Sequence, residues 1–156
     1  MNRKWRLYLD TSVFGGCFDT VQGWAEDSRR VMDAALEGIV IVCFSDTGAR
    51  ELEGAPDQVR ELWNSLPSPC REQVTVTPEI EALSAAYLSA GVVGRTSLDD
   101  TLHVAAATVA RADAIVSWNF KHIVRLDRIK GYNQVNLSLG YGIMTIVSPK
   151  EVRFDE

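Results

Sequence analysis

Four oxygen-bearing side chains stand where a strand is predicted to end or a helix to begin. Asp10 directly follows a short apolar segment, and Asn119 lies within two residues of another. Glu51 lies one or two turns into a predicted helix, and Asp100 lies in the first turn of a different helix. Carboxylate and amide oxygens are ligands for hard cations such as Mg²⁺ and Mn²⁺. If these side chains meet, they could form a divalent metal site.

Clustered carboxylates need a counter-charge. Two unit charges about 4 Å apart repel by roughly 4 kcal/mol at an effective dielectric of about 20. Three unpaired carboxylates would therefore share protons or move apart. A bound Mg²⁺ or Mn²⁺ relieves the repulsion, and it can also deprotonate a bound water and stabilise charge on a phosphate. Such a site needs neither a histidine nor a serine nucleophile.

Each of the four residues also has a purely structural explanation when it is taken alone. Asp10 could cap a helix that follows the first strand, and Glu51 could lie on a solvated helix face. Asp100 closes the segment SLDD, which is similar to a capping box. Asn119 could simply begin a turn. The metal hypothesis therefore depends on the set, because four independent caps need not face one cleft.

The elements that would position these residues alternate between strand and helix. Continuous apolar runs such as IVIVCF predict strands buried on both faces, and Gly38 and Gly91 are typical helix ends. Strands are predicted at residues 6–9, 39–44, 73–77, 114–118 and 143–147. Helices are predicted at 26–37, 45–51, 56–66, 77–91 and 98–111, followed by a helix or turn at 119–127 and a polar, glycine-bearing loop at 131–142.

This alternation favours an α/β fold with a parallel sheet and helices on both faces. The chain has 156 residues and is 46% hydrophobic, which suits a single domain spanning residues 1–156 with one core of ordinary size. In such folds, ligands bind beyond the carboxyl ends of the strands. The four polar side chains fall at that edge of the predicted sheet.

Composition excludes several other kinds of protein. Three widely spaced cysteines without a C-x-x-C pair argue against a disulfide framework or a zinc site and predict reduced, packed thiols. Two histidines are too few for a multi-histidine metal site. A net charge of -5 argues against binding nucleic acid by bulk electrostatics alone. The sequence shows neither a signal peptide nor an apolar run of about 20 residues, so we expect a soluble, cytoplasmic protein with no membrane partner.

Three blocks of the sequence, in this order and spacing, resemble the PIN domain, specifically the VapC-like group of toxin–antitoxin ribonucleases. The blocks are YLDTSVFGG, SDTGARELE and DDTLHVAAATVARADAIVSWNFKHIV, and the closing TIVSPKEV is similar to the last strand of these proteins. The resemblance spans nearly the whole chain. It implies a PIN-like three-layer α/β/α fold with a central, mostly parallel sheet of about four or five strands. It also implies a metal-dependent endoribonuclease that hydrolyses RNA phosphodiester bonds.

The resemblance assigns roles to particular acids. Asp10 would be the central Mg²⁺ or Mn²⁺ ligand, Glu51 the second acid and Asp100 the third. Glu53 is the substitute for the second acid, and Asp99 is the competitor for the third. Three hydroxyl residues could hold a ligand or a bound water: Thr11, Ser12 and Ser117. The family resemblance further implies a homodimer and a small antitoxin protein that blocks the cleft.

The sequence departs from the family pattern at Asn119, where a fourth acid is often found. An amide oxygen can still coordinate a cation or orient water, but the site loses one negative charge, so we expect weaker metal binding. Lys121, His122 and Arg125 follow closely and could contact phosphate oxygens, or they could form a solvated cationic turn. His103, three residues after Asp100, could bind metal, but a packed or supporting histidine is the favoured interpretation.

Other functions fit the sequence less well than the nuclease hypothesis. Phosphatases of the haloacid dehalogenase type need a second aspartate two residues after the first, and this chain has Ser12 there. Gly15 and Gly16 do not supply the G-x-G-x-x-G pattern of a dinucleotide-binding domain. Trp24 and Trp118 could stack on bases, although packing or a dimer contact is the favoured interpretation. The main alternative is a PIN-like module that binds RNA or protein without cutting.

Overall fold

The computed structural model describes residues 3–154, which form a five-stranded parallel sheet covered by helices. The strands are β1 (Trp5–Leu9), β2 (Val40–Ser45), β3 (Arg71–Val74), β4 (Ala114–Val116) and β5 (Ile146–Val147). The α-helices of this range are α1 (Thr11–Gly16), α2 (Ala25–Leu36), α3 (Asp46–Glu53), α4 (Asp57–Ser65), α5 (Pro78–Ser89), α6 (Leu98–Val109) and α7 (Leu126–Ser138).

The sheet is buried on both faces, as its apolar strands predict. Leu7 and Leu9 of β1 belong to one hydrophobic cluster with residues of α1 to α4. Tyr8, between them, belongs to a second cluster with residues of α5 to α7. Helices therefore cover both faces of the sheet, which confirms the predicted three-layer α/β/α fold with a parallel sheet of four or five strands.

The strand order is β3-β2-β1-β4-β5, and every neighbouring pair is parallel. The chain moves outward from β1 through β2 to β3, and then returns to the other side of β1 to form β4 and β5. The point of reversal therefore lies between β1 and β4. Open α/β sheets bind their ligands beyond the carboxyl ends of the strands at such a point.

Local sequence signals set several of the helix ends. The Ser45 side chain accepts a hydrogen bond from the Gly48 backbone at the start of α3, and Thr77 does the same for Ile80 at the start of α5. Gly38 has φ of 80°, a backbone conformation in which a side chain would be strained. The predicted beginnings of α3 and α5 and the predicted end of α2 are therefore correct to within about two residues.

The predicted loop at 131–142 is wrong, because residues 126–138 form α7. Its polar residues look like loop residues in the sequence, but they bond inside the fold. Asn136 is fully buried and accepts a 2.5 Å hydrogen bond from the Tyr87 hydroxyl. At Gly131, a Cβ would lie 3.0 Å from Val92 Cγ1, so this glycine serves close packing. The chain turns only at Gly140, where φ is 87°.

Three strands are shorter than predicted. β4 ends at Val116 rather than at residue 118, and in the other two strands side chains bond to the backbone. The predicted strand at 143–147 contains only β5, since Asn133 bonds both the backbone N–H and the carbonyl of Met144. The third strand is Arg71–Val74 rather than 73–77, and the Val76 N–H instead donates to Asp46. Side-chain bonds of this kind compete with the sheet ladder.

Two further findings concern the cysteines and the possibility of a membrane-spanning helix. Cys17, Cys43 and Cys70 are buried free thiols, as predicted. Among the described residues, no helix is both long enough and apolar enough to cross a membrane.

Candidate metal centre

Asp10 lies at the carboxyl end of β1 and is only 5% exposed. Its two oxygens accept hydrogen bonds from the hydroxyls of Ser12, at 2.5 Å, and Ser117, at 2.7 Å. Ser12 belongs to the first turn of α1, and Ser117 follows the neighbouring strand β4. Burial raises the pKa of Asp10 above its ordinary value, although the charge of His103 and the two hydroxyl bonds oppose that rise. The site therefore contains a buried carboxylate whose negative charge is only partly compensated.

Asp100 lies in the first turn of α6 and is joined to Asp10 by a chain of hydrogen bonds. Asn119 Nδ2 donates to Asp100 Oδ1 at 3.0 Å, and the Asn119 backbone N–H donates to the Ser117 hydroxyl at 2.9 Å. The Ser117 hydroxyl in turn donates to Asp10. Burial raises the pKa of Asp100, against the opposing charges of His122 and His103. The sequence therefore folds so that residues 10, 100, 117 and 119 belong to one polar cluster.

Glu51, in the second turn of α3, lies close to the same cluster. Its Oε1 atom accepts a 2.8 Å hydrogen bond from the Thr11 hydroxyl and lies 2.6 Å from His103 Nε2. Burial disfavours its charged form, but the hydrogen bond and charge of His103 outweigh burial, so the pKa of Glu51 is lowered. Glu51 also contributes to the raised pKa of both Asp10 and Asp100, which places three acids in one electrostatic neighbourhood.

The competing acids lie outside the cluster. Asp99 forms a 2.6 Å ion pair with Arg50, and both side chains are about half exposed. Glu53 is exposed at the last turn of α3. The geometry therefore favours Glu51 over Glu53 and Asp100 over Asp99, which is the order that the sequence predicts.

The observed hydrogen bonds do not support helix capping by Asp10 or by the SLDD segment, but they do support a turn at Asn119. Both oxygens of Asp10 bond to hydroxyl groups, and within residues 3–154 its side chain makes no cap bond to α1. The SLDD segment likewise makes no side-chain cap bond in the described structure, so it is not a capping box. Asn119 does begin a turn, since its Oδ1 accepts from the His122 backbone N–H at 2.9 Å. Both ends of the Asn119 amide are thus engaged by the protein.

The three cationic candidates surround the turn after Asn119. Lys121 and Arg125 are exposed, and Arg125 forms a 2.9 Å ion pair with Asp127. His122 is half-buried and close enough to Asp100 to affect its pKa. The buried Nδ1 atom of His122 has no hydrogen-bond partner among residues 3–154. Of the three, His122 is therefore the one that lies near Asp100, and the charge of Arg125 is paired with Asp127.

The two tryptophans considered for base stacking pack on each other. The rings of Trp24 and Trp118 are parallel within 3°, and their centroids are 4.7 Å apart. Trp118 is 2% exposed, and its indole N–H donates to Ser28. The two tryptophans therefore pack on each other, which is the interpretation that the sequence favours. Phe120 lies against both rings and is 46% exposed.

Sequence reasoning missed Tyr8 and gave Ser45 only the role of a helix cap. The fully buried Tyr8 hydroxyl lies 2.6 Å from Ser45 Oγ and 2.7 Å from His103 Nδ1. His103 is 2% exposed, which agrees with the expected packed or supporting histidine. Burial lowers its pKa, but the bond to Glu51 and the charges of the acids outweigh burial and raise it. A tyrosine inside an apolar strand gives no sequence signal of such a role.

The donor set suits a hard divalent cation. Asp10 and Asp100 are carboxylates whose burial opposes their charge, and a dication would remove that penalty. In the described part of the chain, however, no group of three or more histidine, cysteine, aspartate or glutamate side chains is arranged to hold a metal ion. Mg²⁺ commonly uses only one or two protein carboxylates and completes its shell with water or phosphate. The residues therefore fit a cation held by few protein ligands.

Comparison with known proteins shows similarity in fold. No protein-family model matches the chain. No curated protein sequence matches it either. A similar chain occurs in the crystal structure of VapBC2 from Rickettsia felis bound to a DNA fragment from their promoter. The two chains are 11% identical with a TM-score of 0.57, and the match covers 92% of this chain and 98% of that one. At this identity the match shows the fold alone, and it confirms the PIN-like arrangement of sheet and helices.

Proposed function

We propose that this protein is a divalent-metal-dependent endoribonuclease that hydrolyses RNA phosphodiester bonds. The observation that carries the proposal is the polar cluster at the carboxyl ends of β1 and β4, in which Asp10 and Asp100 share one hydrogen-bond chain beside Glu51. Acids that are 90 residues apart in sequence have no structural need to share a cleft. The preference for RNA over DNA comes from the resemblance to VapC-like proteins.

Each residue has a defined task in this proposal. Asp10, Glu51 and Asp100 would hold Mg²⁺ or Mn²⁺, which when bound supplies the positive charge that activates water and stabilises the phosphate. Asn119 keeps Asp100 in place and could help to position water. Three hydroxyl residues keep the acids oriented, namely Thr11, Ser12 and Ser117. Three cationic residues would contact RNA phosphate oxygens: Lys121, His122 and Arg125.

The test is cleavage of varied RNAs with Mg²⁺ or Mn²⁺, compared with EDTA. Asp10→Asn, Glu51→Gln and Asp100→Asn should each lower cleavage by more than about a hundredfold, since even the partners of metal ligands contribute tenfold to a hundredfold. Two matched controls make the same chemical change nearby, Glu53→Gln on the same helix and Asp99→Asn beside Asp100, and they should retain activity. A wild-type protein that cuts no RNA, or an Asp10→Asn variant that cuts equally well, would refute the proposal.

A second candidate function is a PIN-like module that binds RNA or protein without cutting. Two observations favour it: Asn119 stands where a fourth acid is often found, and no three-acid metal group is assembled among residues 3–154. Calorimetric titration with Mn²⁺ separates the two functions. RNA binding without measurable Mn²⁺ binding or cleavage would select the non-catalytic module.

The proposed partners follow from the same comparison. The similar chain belongs to VapBC2, which that crystal structure describes as bound to promoter DNA. We extend this to the present chain as a proposal that it acts as the toxin of a toxin–antitoxin pair, forms a homodimer and is blocked by a small antitoxin. Co-expression with the product of an adjacent reading frame should relieve growth inhibition, whereas Asp10→Asn should cause no inhibition to relieve.

A further inference from the structure

Three buried polar side chains form a hydrogen-bond chain that ends on Glu51. Ser45 Oγ lies 2.6 Å from the Tyr8 hydroxyl, which lies 2.7 Å from His103 Nδ1. His103 Nε2 completes the chain at 2.6 Å from Glu51 Oε1. Ser45 and Tyr8 are 0% exposed and His103 is 2% exposed, so these bonds are shielded from bulk solvent.

The packing of this region does not explain the chain. Tyr8 and His103 stand among apolar side chains of β1 and α6, where phenylalanine and leucine could fill similar space without polar atoms that need partners. The hydrogen bonds also do not form a closed network within the core. They run outward from the buried serine to a half-exposed carboxylate of the acid cluster. A buried polar network that is directed at a functional group suggests positioning.

The four links belong to four elements. Tyr8 lies in β1, Ser45 ends β2, His103 lies in α6 and Glu51 lies in α3. The helix that supplies Asp100 thus also supplies the group that contacts Glu51. This geometry fixes the spacing between the second and third acids through a single rigid helix.

The chain also orients the Glu51 carboxylate. Thr11 and His103 both bond to Oε1, and within the described range Oε2 has no hydrogen-bond partner. Without these two bonds, a half-exposed glutamate on a helix surface would sample several rotamers. With them, Oε2 is the oxygen that remains available to a cation.

We infer that Tyr8 and His103 are positioning residues, which fix the Glu51 carboxylate at the acid cluster through the chain Ser45–Tyr8–His103–Glu51. The inference rests on the proposed metal site. Partners of metal ligands typically change metal affinity by tenfold to a hundredfold, although they do not touch the ion.

The experiment is calorimetric titration of the whole protein with Mn²⁺. Tyr8→Phe should weaken Mn²⁺ binding by about tenfold, because His103 loses its Nδ1 partner. His103→Leu should weaken it by up to about a hundredfold, and His103→Gln, which keeps a donor, should recover part of the loss. Tyr87→Phe is the matched control, since it also removes a buried hydroxyl that is hydrogen-bonded, here to Asn136, but outside the cluster. It should lower thermal stability and leave Mn²⁺ affinity unchanged.

The outcomes separate the inference from the proposed function. If the wild type binds Mn²⁺ and Tyr8→Phe binds it equally well, the positioning role is wrong and the metal site stands. If the wild type binds no Mn²⁺, both the positioning role and the metal site are wrong.

Where His103→Leu does not fold, nitrogen NMR of the His103 ring in metal-free protein is a second test of the positioning role. The ring signals should shift in Glu51→Gln and in Tyr8→Phe but stay in place in Glu53→Gln, and unchanged signals in the first two variants would overturn the inference.

Discussion

At the scale of single residues, Asp10 shows how a candidate metal ligand opposes folding. The side chain is almost completely buried, and its charged form is supported by the charge of His103 and by two hydroxyl groups. Burying a carboxylate without an ion pair is unfavourable, which agrees with its raised pKa. A fold optimised for stability alone would not keep this charge.

The first prediction concerns Asp10→Asn in metal-free protein. The amide keeps an oxygen acceptor and removes the buried charge, so the free energy of unfolding in EDTA at pH 8 should rise by on the order of 1 kcal/mol. Mn²⁺ should stabilise the wild type by the ordinary mass-action effect and leave the variant unchanged. Thermal denaturation with and without Mn²⁺ measures both effects. A variant less stable than the wild type in EDTA would contradict this account of Asp10.

The second prediction concerns Asn119→Asp, which adds a fourth acid to the cluster. The change removes the hydrogen bond from Asn119 Nδ2 to Asp100 and puts two carboxylates about 3 Å apart. We expect the metal-free protein to lose on the order of 1–2 kcal/mol of stability and to bind Mn²⁺ at least about tenfold more tightly. The exposed Asn64→Asp on α4 adds the same charge at a distance and is the control. If Asn119→Asp binds Mn²⁺ no better than the control, residue 119 is not near the ion.

At the scale of elements, α3 is held against β2 by a glycine. A Cβ at Gly48 would overlap the ring of Phe44, which is fully buried. Gly48 therefore lets α3 approach the sheet, and Glu51 follows three residues later in the same helix.

The third prediction is that Gly48→Ala moves α3. The overlap with Phe44 should lower the free energy of unfolding by roughly 1–3 kcal/mol, because the small gain in helix propensity does not offset it. Mn²⁺ affinity should fall as well, since Glu51 moves with the helix. Gly54→Ala at the end of α3 meets no atom closer than 3.8 Å and serves as the control in urea unfolding and calorimetry. Equal behaviour of the two variants would show that the helix position does not matter.

The sequence was most informative where one residue type has one physical meaning. Apolar β-branched runs predicted the central strands, and Ser45 and Thr77 predicted two helix beginnings. The sequence was least informative where a polar residue bonds inside the fold. α7 was mistaken for a loop because Asn133 and Asn136 find partners that are distant in sequence. Local patterns contain no information about such partners.

The same distinction applies to the candidate site. The order of strands and acids predicted a common neighbourhood for Asp10, Glu51 and Asp100, and in the structure Asp10 and Asp100 share a hydrogen-bond chain beside Glu51. Their role as metal ligands stays a prediction. The roles of Tyr8 and Ser45 could not be predicted, since a tyrosine in a buried strand usually signals packing alone. The approach of His103 to Glu51 also depends on how α3 and α6 pack, which is a tertiary property.

At the scale of the whole molecule, the acids and His103 link stability to pH. The folded protein raises the pKa of Asp10 and Asp100 above 3.8 and that of His103 above 6.5. The stability from these groups is fully present below those ordinary values, and it is lost as the pH rises through each raised pKa. Glu51 has a lowered pKa, so its contribution is present above 4.5 and is lost as the pH falls through its folded value.

The fourth prediction is that metal-free protein becomes less stable between pH 6 and about pH 8. In this range Glu51 is already ionised, while the proton that the folded state holds on His103 is lost, because the charges of Glu51, Asp10 and Asp100 raise the pKa of His103 above 6.5. Unfolding in EDTA at several pH values measures the slope. Mn²⁺ should offset the decline, and Asp10→Asn should flatten it. Stability that rises over this interval in EDTA would show that the acids and His103 are not coupled in this way.

The strand order has a consequence for the protein while it is being made. β1, which comes first in the chain, lies at the centre of the sheet between β2 and β4. A nascent chain that has reached residue 95 contains Asp10 and Glu51 but neither Asp100 nor Ser117. The partner strand β4 is translated late, as is Ser117, one of the two hydroxyl residues that orient Asp10. Such long-range pairings form slowly. The acid cluster of a growing polypeptide therefore stays incomplete until most of its length has emerged.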